Sequence, residues 1–307
     1  MIRNLLLTTT VYLAGLCVMA HAQLPEHYAE STMLFALSAD GKQEVSLRLA
    51  RFPLTGKATV WLHVADDEHA WAMAHETFTT TNLATPIQNE DVSFAAHSGA
   101  QFVRFSSHNR RGQNMQGDLS ALLLAAVTRH PNLDEGTVPV AIDLRYQSAS
   151  PGYRSETGRW EMTGTITGTV TVQGETLTFN NPGKWHEQIG ARRRFAPAFT
   201  YFNVQNDTVA LLAIAFDQGV TGYGMFDGQL YELQSFEIQG QQTGPRSFKA
   251  RLFNAQTDTV QVVEGSALTV QQWSVPIEGQ RRPGAAVVVD TNIGQMFGSL
   301  NDWQPEP

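Results

Sequence analysis

Between residues 159 and 172 the chain reads RWEMTGTITGTVTV. The even positions carry Trp160, Met162, Gly164, Ile166, Gly168, Val170 and Val172; the odd ones carry Glu161 and then threonine at 163, 165, 167, 169 and 171. Strict alternation puts one face of a β-strand in an apolar core and the other against polar surroundings. The stretch exceeds an ordinary strand length, so a bend or a barrel crossing is expected, with Gly164 and Gly168 as natural sites for it.

The same period recurs elsewhere. Met33, Phe35 and Leu37 alternate before Asp40-Gly41, and Val45, Leu47 and Leu49 alternate after it, which predicts a hairpin. Further strands are expected at 57–64, 100–107 and 138–147. A second hairpin is centred on Asp227-Gly228, and short strands follow at 246–254, 259–265, 268–278 and 285–292. Residues 209–216, VALLAIAF, are apolar on both faces, as in a strand buried from both sides. Such spacing without intervening helices predicts an all-β antiparallel barrel or sandwich. Residues 118–127 are ambiguous: Leu119, Leu122, Leu123 and Ala126 have helical spacing, yet a buried strand fits as well. The compositional seam is NNPGK, 180–184, between two strand-rich halves.

The amino terminus changes the accounting. Arg3, an apolar run and Ala20-His21-Ala22 have the form of a secretory signal peptide cut after Ala22, too short to span a membrane. Periplasmic or secreted residence is expected, with no stable membrane anchor. Cleavage would take 22 residues from 307 and leave 285, enough for a large β core. The single cysteine, Cys17, would leave with the signal, so no disulfide or cysteine nucleophile is expected. Loss of Arg3 would leave 20 basic against 29 acidic residues, which argues against a nucleic-acid partner.

Candidate chemistry gathers in GKWHEQIGAR, 183–192. His186-Glu187 is half of a zinc-protease motif, but Gly190 stands where the second histidine is needed. His63, His69 and His75 form no short ligand pair, and no metal or cofactor is expected. No Gly-x-Ser-x-Gly nucleophile turn is present, and Gly222-Tyr223-Gly224 lacks the lysine and helix of a phosphate loop. Read as a strand, the segment sends Trp185 and Glu187 to one side and His186 and Gln188 to the other. A carboxyl desolvated beside an indole has a raised pKa, which suits a general acid. The alternative is a buried Trp with Glu187 paired to Arg192, Arg193 or Arg194.

Glu161, Gly164, Gly168 and Gly174, followed by Gly183, Trp185, His186, Glu187, Gly190 and Arg192, resemble the motifs of the AttH/CrtC-like superfamily, which includes carotenoid 1,2-hydratases. The likeness extends over most of the chain and is strongest from 158 to 240. It implies two packed lipocalin-like antiparallel β-barrel domains, 23–180 and 181–307, with 118–127 a strand. It also implies an apolar, terpenoid-like, lipid or aromatic ligand, and hydration, isomerisation or cyclisation by acid catalysis. On that reading Glu187 donates the proton, Glu161 or His186 positions water, and Trp160, Trp185, Gln188, Arg192, Tyr201 and Tyr223 line the ligand site. A non-catalytic carrier of a hydrophobic ligand is the rival expectation, and a structural envelope protein is a third.

Overall fold

The computed structural model describes residues 24–303 except 27, 39, 81–90, 111–113, 131, 134–135, 150–151, 155–157, 191–197, 241–243 and 278–279. The expected signal peptide therefore lies outside the described residues, as does Arg192.

The described chain forms strands only, in two sheets. The first contains β1 (Ala29–Leu37), β2 (Glu44–Phe52), β3 (Lys57–Ala65), β4 (Ala70–Thr80), β5 (Val92–Ser98), β6 (Gln101–His108), β7 (Gln116–Arg129), β8 (Thr137–Ser148), β9 (Tyr153–Arg154), β10 (Arg159–Val172) and β11 (Glu175–Gly190). The second contains β12 (Phe199–Gln205), β13 (Val209–Phe216), β14 (Gly219–Phe226), β15 (Gln229–Gln239), β16 (Arg246–Asn254), β17 (Thr259–Ile277), β18 (Gln280–Thr291) and β19 (Gly294–Trp303). These eight strands close into an antiparallel barrel through the β12–β19 pairing. The first sheet also closes on itself, because β11 pairs with both β1 and β10. Its β5–β6 hairpin is an excursion: β4 pairs with β5 at one end and with β7 at the other.

Alternation explains the interiors. In β8, Val138, Val140, Ile142, Leu144 and Tyr146 are buried while the residues between them are exposed. In β10 the even-numbered Trp160, Met162, Ile166, Val170 and Val172 enter the same core as Leu177, Phe179 and Trp185 of β11. The turn between β14 and β15 uses Asp227 and Gly228 at φ 48° and 76°. That pair of left-handed residues matches the twist of a tight hairpin, and glycine accepts it without steric cost.

Two expectations are settled differently from their simplest form. Residues 118–127 lie within β7, a strand in which Leu119, Ala121, Leu123 and Ala125 are buried and Leu122 and Leu124 are exposed. The helical spacing arose because apolar residues occupy both faces of this strand. The change of sheet does not fall at 180. β11 continues through NNPGK to Gly190 and stays hydrogen-bonded to β1 and β10, so the crossing lies between Gly190 and Phe199. Pro182 sits opposite Thr165 in that ladder and does not interrupt it.

The barrels pack through side chains from their outer faces. Phe35 and Leu37 meet Ala286, with Met33 and Phe297 beside them. Leu212, Ile214 and Tyr223 meet Tyr153, Phe199 and Tyr201. This accounts for the two-sided apolar pattern of β13: Leu211 and Ala213 fill the second barrel, while Leu212 and Ile214 fill the seam between barrels.

Candidate functional site

β10 and β11 pair with Trp160 opposite Glu187, Glu161 opposite His186, Met162 opposite Trp185 and Thr163 opposite Lys184. Opposed residues share a face and successive ones alternate. The pair therefore carries two buried polar clusters back to back, one inside the first barrel and one in the seam.

The inner cluster is built on Glu187, which is fully buried. Its Oε1 accepts a hydrogen bond from Trp185 Nε1 at 2.9 Å, and its Oε2 accepts one from Arg110 Nη2. The Arg110 guanidinium also lies 4.7 Å from the Trp160 ring centre, with Arg154 at 4.6 Å from the same ring. Trp185 meets Phe105 edge-on at 5.5 Å and Tyr146 at 5.7 Å. Its ring rests on Gly117, where a Cβ would stand 2.3 Å from Cζ3, so only glycine permits this approach. Three polar atoms nearby, Tyr146 Oη, Trp160 Nε1 and Thr32 Oγ1, are buried without a hydrogen-bond partner among the described residues. Thr32 lies directly opposite Glu187 on β1. Two residues away, Glu30 is paired with Arg51, whose Nε donates to it at 2.6 Å. Burial pushes the Glu187 carboxyl above its ordinary range, and the Arg110 charge only partly opposes it.

The outer cluster is built on Glu161, also fully buried. Its Oε1 lies 2.7 Å from Arg159 Nη1 and 3.0 Å from His186 Nδ1, and its Oε2 lies 3.3 Å from Lys184 Nζ. Lys184 Nζ donates in turn to Tyr201 Oη of the second barrel. Arg48 Nη2 donates to Ser31 Oγ at 2.8 Å and reaches Gln188 Oε1 at 3.5 Å. Tyr223 stacks on Tyr153 at 4.7 Å, next to this group. Burial alone would raise the Glu161 carboxyl, but Lys184, Arg159 and His186 outweigh it and hold the group well below its ordinary range. Burial lowers His186 to about 3, despite the contact with Glu161, so its imidazole is neutral.

The expected site is thus divided. Glu187, Trp185 and Trp160 are together inside the first barrel. Glu161, His186, Gln188, Tyr201 and Tyr223 are together in the seam. Positioning of water for Glu187 by Glu161 or His186 is not what this geometry provides, because a β-sheet separates them. Tyr201 likewise does not line the Glu187 side. Among the described residues Glu187 is paired with the cation Arg110, in the loop after β6; Arg192, Arg193 and Arg194 lie outside the described residues. Arg110, Tyr146 and Lys184 were missed as site residues. Arg110 gives no periodic signal, but Lys184 stands one step from Trp185 in an alternating strand and was legible as a residue of the opposite face.

No known family profile matches the chain, and no curated protein matches it in sequence. Solved structures do match its fold. CghA in a structure with Sch210972 has a TM-score of 0.56 at 11% identity, covering 90% of this chain and 86% of that one. CghA in another structure gives 0.57 over the same shares. A candidate AttH (NE1406) from Nitrosomonas europaea gives 0.53 at 10% identity, covering 91% and 93%. The fold is the AttH-like lipocalin fold, an all-β architecture with a closed eight-stranded barrel beside a large first sheet.

Proposed function

We propose that the protein is a hydratase-like lyase that acts on an apolar small molecule inside its first barrel, with Glu187 as the proton donor. The observation that carries this reading is a carboxyl sealed in an apolar barrel, raised by burial, beside buried donors that lack partners among the described residues. Polar atoms of that kind are costly to leave unmet, and a ligand oxygen would satisfy Tyr146 Oη or Trp160 Nε1. Trp160 and Trp185 supply flat apolar contact, and an aromatic face favours a developing cation by roughly 0.5–2 kcal/mol. The Arg110 charge counters part of the effect of burial on Glu187. A substrate that draws the guanidinium away leaves burial unopposed, so the carboxyl takes a proton from water and delivers it to one carbon of a carbon–carbon double bond; water adds to the other carbon, and its excess proton returns to the Glu187 carboxylate. The outer cluster fixes the β10–β11 pair and the second barrel in place. Periplasmic or secreted residence belongs to the same proposal, supported by the form of residues 1–22.

One observation favours the carrier reading: both oxygens of Glu187 already accept hydrogen bonds. Barrels of this type hold ligands without chemistry. The two are separated by incubating the protein with an apolar organic extract of its source and following masses. A product one water heavier or lighter that forms with the wild type and not with Glu187→Gln supports the lyase. A compound that co-purifies unchanged with both proteins supports the carrier and sinks the proton-donor role.

A further inference from the structure

Three turns meet at one rim of the first barrel, away from both clusters. The β3–β4 turn brings Asp66 and His69, the end of β7 brings His130, and the β10–β11 turn brings Glu175. One donor atom from each of His69, His130 and Glu175 lies within 4.8 Å of the others. We propose that these three residues bind a single divalent transition-metal ion, with zinc as the ion the donor set fits, and that the ion clips the three turns together.

The two imidazoles lie with ring centres 4.3 Å apart, and Glu175 Oε2 stands 3.7 Å from His69 Nδ1. Two imidazoles and one carboxylate suit zinc with an open fourth position, whereas calcium and magnesium favour all-oxygen sets. Tetrahedral zinc with bonds near 2.0 Å needs donors about 3.3 Å apart, so closure takes only modest rotation of side chains at the surface. Glu175 is exposed and both histidines are half-buried, which leaves the site open to ions from solvent.

His69 is already oriented. Both carboxylate oxygens of Asp66 lie 3.0 Å from its Nδ1, the carboxylate–histidine contact that commonly supports a metal ligand. With Nδ1 engaged there, the ion is taken at Nε2, and the exposed Glu175 carboxylate, which lies toward Nδ1, turns along the ring edge to reach it. Asp66 is itself fixed by the backbone N–H groups of Glu68 and His69, at 2.8 and 2.7 Å. Trp71 stacks on the His69 ring at 5.5 Å with the planes 17° apart. His130 is the ligand that must adjust: its Nδ1 accepts the Asn132 N–H at 3.1 Å, and binding through Nε2 moves the proton to Nδ1 and releases that contact. The clip has a mechanical reach. Gln271 of the second barrel donates to the Asp66 and Lys42 carbonyls at 3.3 and 2.7 Å, so stiffening this turn stiffens a contact between barrels.

The test uses the full chain without a histidine tag, stripped with chelator and exchanged into metal-free buffer. Zinc chloride is titrated calorimetrically, and the unfolding temperature is read with and without it. The expected result is one zinc per chain, an upward shift of unfolding temperature, and about ten-fold or greater loss of affinity in both His130→Gln and Glu175→Gln. His97→Gln, at an exposed position on β5, keeps the wild-type affinity. Cobalt in place of zinc gives the visible absorption of a tetrahedral site. No heat and no thermal shift overturns the proposal, and so does zinc binding of equal strength in the ligand variants.

Discussion

The two faces of the β10–β11 pair carry similar inventories and opposite electrostatics. Inside the barrel, Glu187 has Arg110 and an indole N–H, and burial still leaves its carboxyl raised. In the seam, Glu161 has Arg159, Lys184 and His186, and its carboxyl is depressed. Desolvation is severe for both; how strongly the charged and hydrogen-bonding partners counter it decides the sign. A carboxylate held by three partners is locked in its charged form and suits architecture. A carboxyl balanced between burial and one guanidinium can change protonation when its surroundings change, and it suits chemistry. Adjacent residues of one hairpin thus differ in what they can do because a strand sends them to opposite sides.

The largest expected effect separates the faces by removing each carboxylate charge. Glu161→Gln leaves the buried Lys184 and the half-buried Arg159 without this anion, and should cost about 3–5 kcal/mol in urea unfolding. Glu187→Gln carries a penalty of the same kind through Arg110, but adding Arg110→Met should recover most of it, because the inner face then becomes a neutral core. Failure of the second substitution to rescue the first would break the claim that one guanidinium balances Glu187.

Gly117→Ala should cost about 1–3 kcal/mol, since the new methyl meets the Trp185 ring from inside the first barrel. The outer cluster should be unaffected, so the acid limb of the stability profile keeps its shape. A variant as stable as the wild type would mean that Trp185 is not confined by β7.

Per pH unit the smallest effect is in pH dependence, and the faces should oppose each other. His186 has a folded pKa near 3 against an ordinary 6.5, so its contribution is complete above 6.5 and is lost as pH falls from 6.5 toward 3. Glu161, depressed from 4.5, adds loss of the same sign at pH below 4.5. Glu187 is raised from 4.5, so its contribution is present below 4.5 and is lost as pH rises through the raised value. Each group changes stability by at most about 1.4 kcal/mol per pH unit. His186→Gln should flatten the acid limb below 6.5, and the Glu187→Gln/Arg110→Met pair should steepen it. Chemical unfolding between pH 4 and 8 reads both slopes.

Much of this architecture was legible in the order of apolar and polar residues. The alternation in 159–172 gives β10 and its buried even positions, and the apolar faces of 209–216 foretell a strand buried twice. The alternation also assigns Trp185 with Glu187 and His186 with Gln188. What it could not give is which residues from distant strands stand beside them. Arg110 approaches Glu187 from a loop 77 positions earlier in the chain. Lys184 meets Tyr201 only because the second barrel docks there. The seam at 180 is a change of composition and not of sheet: β11 runs through Asn-Pro-Gly, and Pro182 stands in its ladder with β10 just beyond the last residue paired with β1. The rim histidines are 61 positions apart, and no local spacing announces their meeting.

The central claim is that chemistry belongs to the inner face and support to the outer one. It is tested most directly by comparing turnover in Glu187→Gln/Arg110→Met and in Tyr201→Phe, each checked for folding, on whichever apolar compound the wild type converts. The account predicts that the inner variant loses conversion while still binding the compound, and that Tyr201→Phe converts it at close to the wild-type rate. Conversion retained by the inner variant and lost in Tyr201→Phe would contradict it and move the site into the seam between the barrels.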